Sequence, residues 1–169
     1  MPTIQVVMGS QSDAGIVKAS GLLDILDTLE GSGMSYQVSV CSAHRNAPDL
    51  QEFADQTLQE GTQIYIGIAG MAAALPGALA ACTRMSKPII AVPLDEHGID
   101  SCLYMPPGVP VLLAGVGKEG LKNAGIAALQ ILATGNSAPA KVALADYLIK
   151  NQRQPQFNIN PYSPQEAHS

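Results

Sequence analysis

TIQVVMGSQSD, residues 3–13, runs from an apolar segment straight into a turn of small and polar residues. Thr3 to Met8 reads as a buried strand, and Gly9-Ser10-Gln11-Ser12-Asp13 as the turn that follows it. Beyond the turn, Val17, Leu22, Leu23, Ile25, Leu26 and Leu29 recur at helical spacing, so a helix is expected over 16–29. Ser12 is its expected cap; the residue three further on is Gly15, so no capping box is expected there.

The same alternation continues down the chain. Strands are expected at 36–41, 63–68, 88–93 and 108–114, and helices at 49–60, 72–84 (interrupted near its start by Pro76-Gly77), 118–134 and 139–151. Gly31 to Gly33 and Gly61 supply breaks between them. Alternating strands and helices predict a three-layer α/β domain: a doubly wound parallel sheet of about five strands, its apolar strands covered by helices on both faces. The expected boundaries are one catalytic domain over 1–152 and a Pro/Gln/Asn-rich extended tail over 153–169. In such sheets ligands bind beyond the carboxyl ends of the strands, near a switch in strand order. That rule selects the turns after the first three strands: GSQSD, SAHRN and GIAGMAAALPG.

Bulk composition narrows the function. The chain has 169 residues, 47% hydrophobic and 14% charged, with 16 glycines and a formal net charge of −5. No basic stripe exists to neutralise phosphates, which argues against a nucleic-acid partner. Low surface charge on so apolar a chain suggests that copies of the chain cover one another, although its small residues alone would also account for the composition. Cys41, Cys82 and Cys102 lack metal-type spacing and leave one cysteine unpaired, which suits a reducing cytoplasm. No signal peptide is recognisable, and the longest apolar stretch, 64–76, is too short to span a bilayer.

The three turns suggest a chemistry. Gly9, Ser10 and Ser12 offer backbone N–H groups and hydroxyls to an anion, and Asp13 offers a carboxylate to sugar hydroxyls; plain helix capping would use the same residues. In the second turn Arg45 suits a phosphate, and its charge is expected to favour the neutral imidazole of His44, a proton-transfer group. The bland reading is a hydrogen-bonded polar turn. The third turn, 67–77, has no ionisable side chain; its glycines and alanines let a planar ligand lie against backbone N–H groups, or simply let helix and sheet pack closely.

Two other motifs are set aside. Gly115-Val-Gly-Lys-Glu-Gly120 matches a dinucleotide fingerprint but follows the last strand, with no acidic-ended strand after it. His97, in Asp95-Glu96-His97-Gly98, has no nearby histidine to share a metal, so a solvated loop is expected. The loop 100–108 is long enough to be a lid.

Taken together, M-G-S-x-S-D after the first strand, S-A-H-R after the second, A-x-x-A-L-P-G after the third and M-P-x-G before the fifth resemble the aminoimidazole ribonucleotide carboxylase family of purine biosynthesis, which includes the carboxyaminoimidazole ribonucleotide mutases. The resemblance spans about 3–133. It implies a flavodoxin-like fold, a homo-octamer with active sites shared between subunits, and no metal or organic cofactor. It implies substrates of a ribonucleotide and carbon dioxide or a carboxyl group. By position, Ser10, Ser42 and Arg45 would hold phosphate, Asp13 the ribose, and His44 would move the proton on carbon 4 of the imidazole. Gly9, Ser12 and Ala43 would complete the nucleotide site, and Gly67, Ile68, Ala69, Gly70, Ala74 and Leu75 the carboxyl site.

The subclass signals are mixed. Mutases usually read A-A-H-L-P-G in the third turn, where Ala72-Ala73-Ala74-Leu75-Pro76-Gly77 stands here. Direct carboxylases usually read A-G-R-S-N-A-L-S-G, whose frame matches Ala69 to Gly77 without its polar residues. The short 101–108 loop follows the direct carboxylases, whereas Arg45 follows the mutases. Ala69-Gly70-Met71 through Leu75 also resembles a carboxylase domain acting on a nicotinate nucleotide, which lacks S-A-H-R. A nucleotide-binding paralogue without activity is the non-enzymatic alternative.

Overall fold

A computed structural model describes residues 2–151; the expected tail at 153–169 lies outside them. Its five strands are β1 (Ile4–Met8), β2 (Tyr36–Val40), β3 (Ile64–Ala69), β4 (Ile89–Pro93) and β5 (Leu112–Leu113). They form one sheet in the order β2-β1-β3-β4-β5, with every pairing parallel. This is the flavodoxin-like order expected of a doubly wound fold. Every residue of β1, β3 and β4 is buried, which explains why these strands read as unbroken apolar runs.

Two hydrophobic layers flank the sheet. On one face Ile4, Val6, Met8, Ile66, Ile68, Ile90 and Val92 pack with α1 (Ala14–Lys18), α2 (Leu22–Leu26), α6 (Gly117–Thr134) and α7 (Ala138–Asn151). On the other, Val7, Tyr65, Ile89 and Ala91 meet Leu50 of α3 (Ala47–Gln59), Leu75 and Leu79 of α4 (Leu75–Cys82) and Cys102 of α5 (Ile99–Leu103). Alternate residues of β1 thus face opposite layers, the period-two geometry of a strand.

Several boundaries differ from expectation for identifiable reasons. The helix expected over 16–29 breaks at Gly21, whose φ of 82° is left-handed, giving α1, α2 and a 3₁₀ turn at Asp27–Leu29. Ser20 covers the break: its hydroxyl donates to Val17 O and accepts from Leu22 N. The fifth strand pairs only over Leu112–Leu113, where it meets Ile90 and Ala91. The glycine-rich 115–120 segment is a packing device. A Cβ at Gly120 would lie 2.4 Å from the carbonyl of Gly115, so the turn closes directly onto the first turn of α6.

The register places the site. Met8 pairs with Val40 on one side and Ile68 on the other, so the carboxyl ends of β1, β2 and β3 lie abreast. The chain leaves β1 for β2 on one flank and returns across β1 to β3 on the other. The turns after these three strands therefore meet at the point where strand order reverses.

Candidate active site

One cavity of about 350 Å³ lies at this switch point, of a size that suits a small-molecule ligand. It is lined by Gly9, Ser10, Ser12 and Asp13 from the first turn, Ser42 to Arg45 from the second, and Ala69 to Leu75 from the third. Gly67 and Ile68, expected in the carboxyl site, do not line it. Both are interior to β3: Ile68 is fully buried in the core, and Gly67 faces α4. Met71, Ala72 and Ala73 belong to the lining as well.

The first turn is held by a capping box, and the cap is Ser10 rather than Ser12. Ser10 is extended (φ −151°, ψ 148°), its hydroxyl accepts from Ser12 N at 3.3 Å, and Asp13 Oδ2 accepts from Ser10 N at 3.1 Å. The expectation failed because the chain enters its helix through a 3₁₀ turn at Gln11–Asp13, three residues before the apolar rhythm begins. The Ser10 and Ser12 hydroxyls lie 2.8 Å apart, and Ser12 Oγ donates to Asp13 Oδ1 at 3.3 Å. The two hydroxyls and the carboxylate are thereby tied together within one turn.

The second turn follows the edge strand β2 and leads into α3. Cys41 N donates to Met8 O, Arg45 N to Ser42 Oγ at 3.3 Å, and Asn46 N to Ser42 O at 2.9 Å. These bonds close the turn around Ser42 and turn His44 and Arg45 outward, both exposed at the cavity rim. Among the described residues neither the imidazole nor the guanidinium has a hydrogen-bond partner. Cys41 beneath them is buried, and burial is the main cause that pushes its thiol above its usual value.

The third turn departs most from its sequence reading. The helix expected from Ala72 begins only at Leu75, because Met71 (φ 54°) and Ala73 (φ 40°) are left-handed. Side chains in that region cost about 1–3 kcal/mol each, so the surroundings must impose the shape. Ala73 N donates to Gly70 O at 3.1 Å and Met71 N to Asp95 Oδ2 at 2.9 Å. The N–H groups of Ala72, Ala74 and Leu75 have no protein partner among the described residues, and all three residues line the cavity. The turn thus offers unpaired backbone donors at the start of α4, where the helix dipole favours a negative charge.

His97 is exposed, as expected of a solvated loop, and Asp95 caps the 3₁₀ turn at Glu96–Gly98 by accepting from His97 N. The lid expected at 100–108 is partly the helix α5, anchored by buried Cys102, while Met105 lies where a Cβ on Gly77 would meet it at 3.1 Å. No residue of 100–108 lines the cavity. Among the described residues no three His, Cys, Asp or Glu side chains group to hold a metal, and no helix is long and apolar enough to cross a membrane.

The family model for AIR carboxylase matches residues 3–154. The chain belongs to the AIR carboxylase family. It is 41% identical over 138 residues to the N5-carboxyaminoimidazole ribonucleotide mutase of Pyrococcus abyssi, covering 78% of this chain and 74% of that one. The protein of the same name from Bacillus subtilis is 41% identical over 137 residues, covering 78% and 80%. That from Methanocaldococcus jannaschii is 36% identical over 156 residues, covering 89% and 91%. Among solved structures, Treponema denticola PurE superposes with a TM-score of 0.73 at 26% identity, covering 89% of this chain and 92% of that one.

Proposed function

We propose that this protein is an enzyme of de novo purine biosynthesis that forms 4-carboxy-5-aminoimidazole ribonucleotide, by moving the carboxyl group of the N-carboxyamino isomer from nitrogen to carbon 4. The observation that carries the reading is the meeting of His44 and Arg45 with Ser10, Asp13 and Ser42 in one cavity, opposite a turn with unpaired backbone N–H groups. The family membership, and the mutase names of relatives about 40% identical, support it.

In this reading Ser10, Ser42 and Arg45 hold the phosphate, with Gly9, Ser12 and Ala43 beside them, and Asp13 accepts from the ribose hydroxyls. The N–H groups of Ala72, Ala74 and Leu75, with Ala69 and Gly70 beneath, cradle the carboxyl group. Protonated His44 gives its proton to the carbamate nitrogen as the N–C bond breaks and carbon dioxide departs. The electron-rich carbon 4 then attacks that carbon dioxide. His44 takes the proton that carbon 4 loses, so the imidazole ends as it began. The substrate's own enamine-like ring supplies the nucleophile, so no metal or organic cofactor is needed; the protein positions, excludes water and relays one proton. A homo-octamer in the cytoplasm, with neighbouring subunits closing the exposed His44 and Arg45 rim, completes the proposal.

Direct capture of carbon dioxide by the free aminoimidazole is the second reading. It is favoured by the short 101–108 loop, whose Met105 packs against Gly77 of α4 and which contributes no residue to the cavity lining. Purified protein is to be given the N-carboxyamino isomer, or aminoimidazole ribonucleotide plus bicarbonate. Turnover of the isomer alone is expected; turnover of the second mixture alone supports direct carboxylation, and turnover of neither defeats both. His44→Asn is expected to lower turnover about 10²- to 10⁴-fold while nucleotide affinity stays within about threefold. An active His44→Asn enzyme removes the histidine from the mechanism.

A further inference from the structure

The third turn holds two left-handed non-glycine residues, and nothing in its own sequence demands that shape. The constraint comes from the loop after β4. Leu94 N donates to Ala69 O, which carries the β3–β4 pairing to the end of both strands and brings Asp95 beside Gly70. Asp95 Oδ2 accepts from Met71 N at 2.9 Å, and Oδ1 accepts from His97 N at 3.0 Å. Both carboxylate oxygens are therefore engaged by the protein's own backbone. Gly70 permits this approach, because a Cβ there would stand 3.1 Å from Asp95 Oδ2. Gly98 completes the brace: a Cβ on it would lie 2.6 Å from Ala73 Cβ and 2.9 Å from Met71 O, so only glycine fits behind the turn.

We propose that Asp95 is a positioning residue for carboxyl transfer: it holds Met71 and Ala73 left-handed and so aims the free N–H groups of Ala72, Ala74 and Leu75 at the migrating carboxyl group. The proposal rests on the carboxyl-transfer reading above. Asp95 itself does not touch the substrate; it does not line the cavity, and its oxygens are occupied. Asparagine in its place keeps one acceptor and turns an N–H₂ group towards the other N–H, losing one of the two bonds. Glycine at position 71 adopts positive φ without strain, so Met71→Gly relieves the turn of its dependence on the carboxylate.

The test uses the full chain and the variants Asp95→Ala, Asp95→Asn, Met71→Gly and Asp95→Ala/Met71→Gly. Three quantities are measured: hydrogen exchange at the Met71 amide, kcat and KM for the N-carboxyamino isomer, and Kd for aminoimidazole ribonucleotide, which lacks the carboxyl group. Asp95→Ala is expected to lose Met71 amide protection and to lower kcat about tenfold or more, because a displaced binding group misaligns the reacting atoms. Kd for the uncarboxylated nucleotide should stay within about threefold, since the phosphate and ribose turns are untouched. In the Met71→Gly background the same Asp95→Ala change should cost less than about threefold in kcat, a rescue that general destabilisation does not produce. Asp95→Asn, alone and combined with Met71→Gly, gives the same comparison with a smaller loss should the alanine variant not fold. Turnover of Asp95→Ala within about twofold of wild type, or an equal loss in both backgrounds, overturns the proposal. A wild-type chain inactive on either substrate instead overturns the carboxyl-transfer reading, and the catalytic part of this proposal with it.

Discussion

Gly67 offers a sharp separation between contact and spacing. It sits within β3, and a Cβ built there would lie 3.2 Å from Leu79 Cδ1, 3.2 Å from Pro76 Cα and 3.3 Å from Pro76 Cγ. Leu79 can rotate a methyl group away, but Pro76 Cα is backbone at the start of α4 and must move with the helix. Gly67→Ala therefore overpacks the β3–α4 contact, at a cost of about 1–3 kcal/mol. For a chain of this length that lowers Tm by about 2–12 °C, measured by calorimetry. Leu75, one residue before Pro76, lines the cavity, so the shift also disturbs the proposed carboxyl site. The turns after β1 and β2, proposed to hold the phosphate, are not pushed, so affinity for aminoimidazole ribonucleotide should change by less than about threefold. The reasoning is refuted by an unchanged Tm together with a tenfold or larger loss of that affinity, on the order expected of a direct ligand contact.

The first turn and an edge tyrosine give two further tests. Ser10→Ala removes the acceptor for Ser12 N and should cost about 1 kcal/mol of stability, whereas Ser10→Gly should cost only a few tenths; chemical denaturation compares them, and equal losses argue against a capping role. Tyr36 donates to Asp27 Oδ1 at 2.6 Å, and burial first, then this bond and the charges of Asp27, Asp24 and Glu30, push its phenol from 10.0 to about 12. A folded value raised above the unfolded one stabilises fully below pH 10 and loses that contribution as pH rises to about 12. Wild type should therefore lose stability relative to Tyr36→Phe across that window, and the phenolate absorbance missing from the variant should titrate near its upper end. A difference spectrum centred near 10 contradicts the assignment.

What the sequence disclosed, it disclosed where local pattern and tertiary environment demand the same thing. β1, β3 and β4 are apolar throughout because both faces are covered, and the turns after the first three strands stand out by their residue types. Ser10 was hidden as the cap because the helix rhythm starts later than the helix does. The break at Gly21 was hidden because Val17, Leu22, Ile25, Leu26 and Leu29 stay buried on both sides of it, so the periodicity survives the interruption. Gly67 and Ile68 were drawn into the site by proximity in sequence, although the pleat directs one to a helix and the other to the core.

The three alanines after Met71 show the opposite limit, where local preference is overridden. Alanine favours helix, and Ala72-Ala73-Ala74 ahead of Leu75 reads as a helix start. What prevents it comes from 24 residues away, through Asp95, and from Gly98 behind it. The groups proposed to carry charge and protons, His44, Arg45, Ser10 and Asp13, lie on turns closed largely by bonds among near neighbours in sequence. The groups that shape the carboxyl cradle act across the β3–β4 pairing. A substitution in the first set should therefore remove a chemical step or a binding contact and leave the turn's shape nearly intact. One in the second set leaves every chemical group present but misaimed, so its effect falls on the positioning of the carboxyl group. The missing polar side chains of the third turn are compatible with catalysis on this account, because the cradle is built from backbone and its accuracy is set by Asp95 and the glycines at 70 and 98.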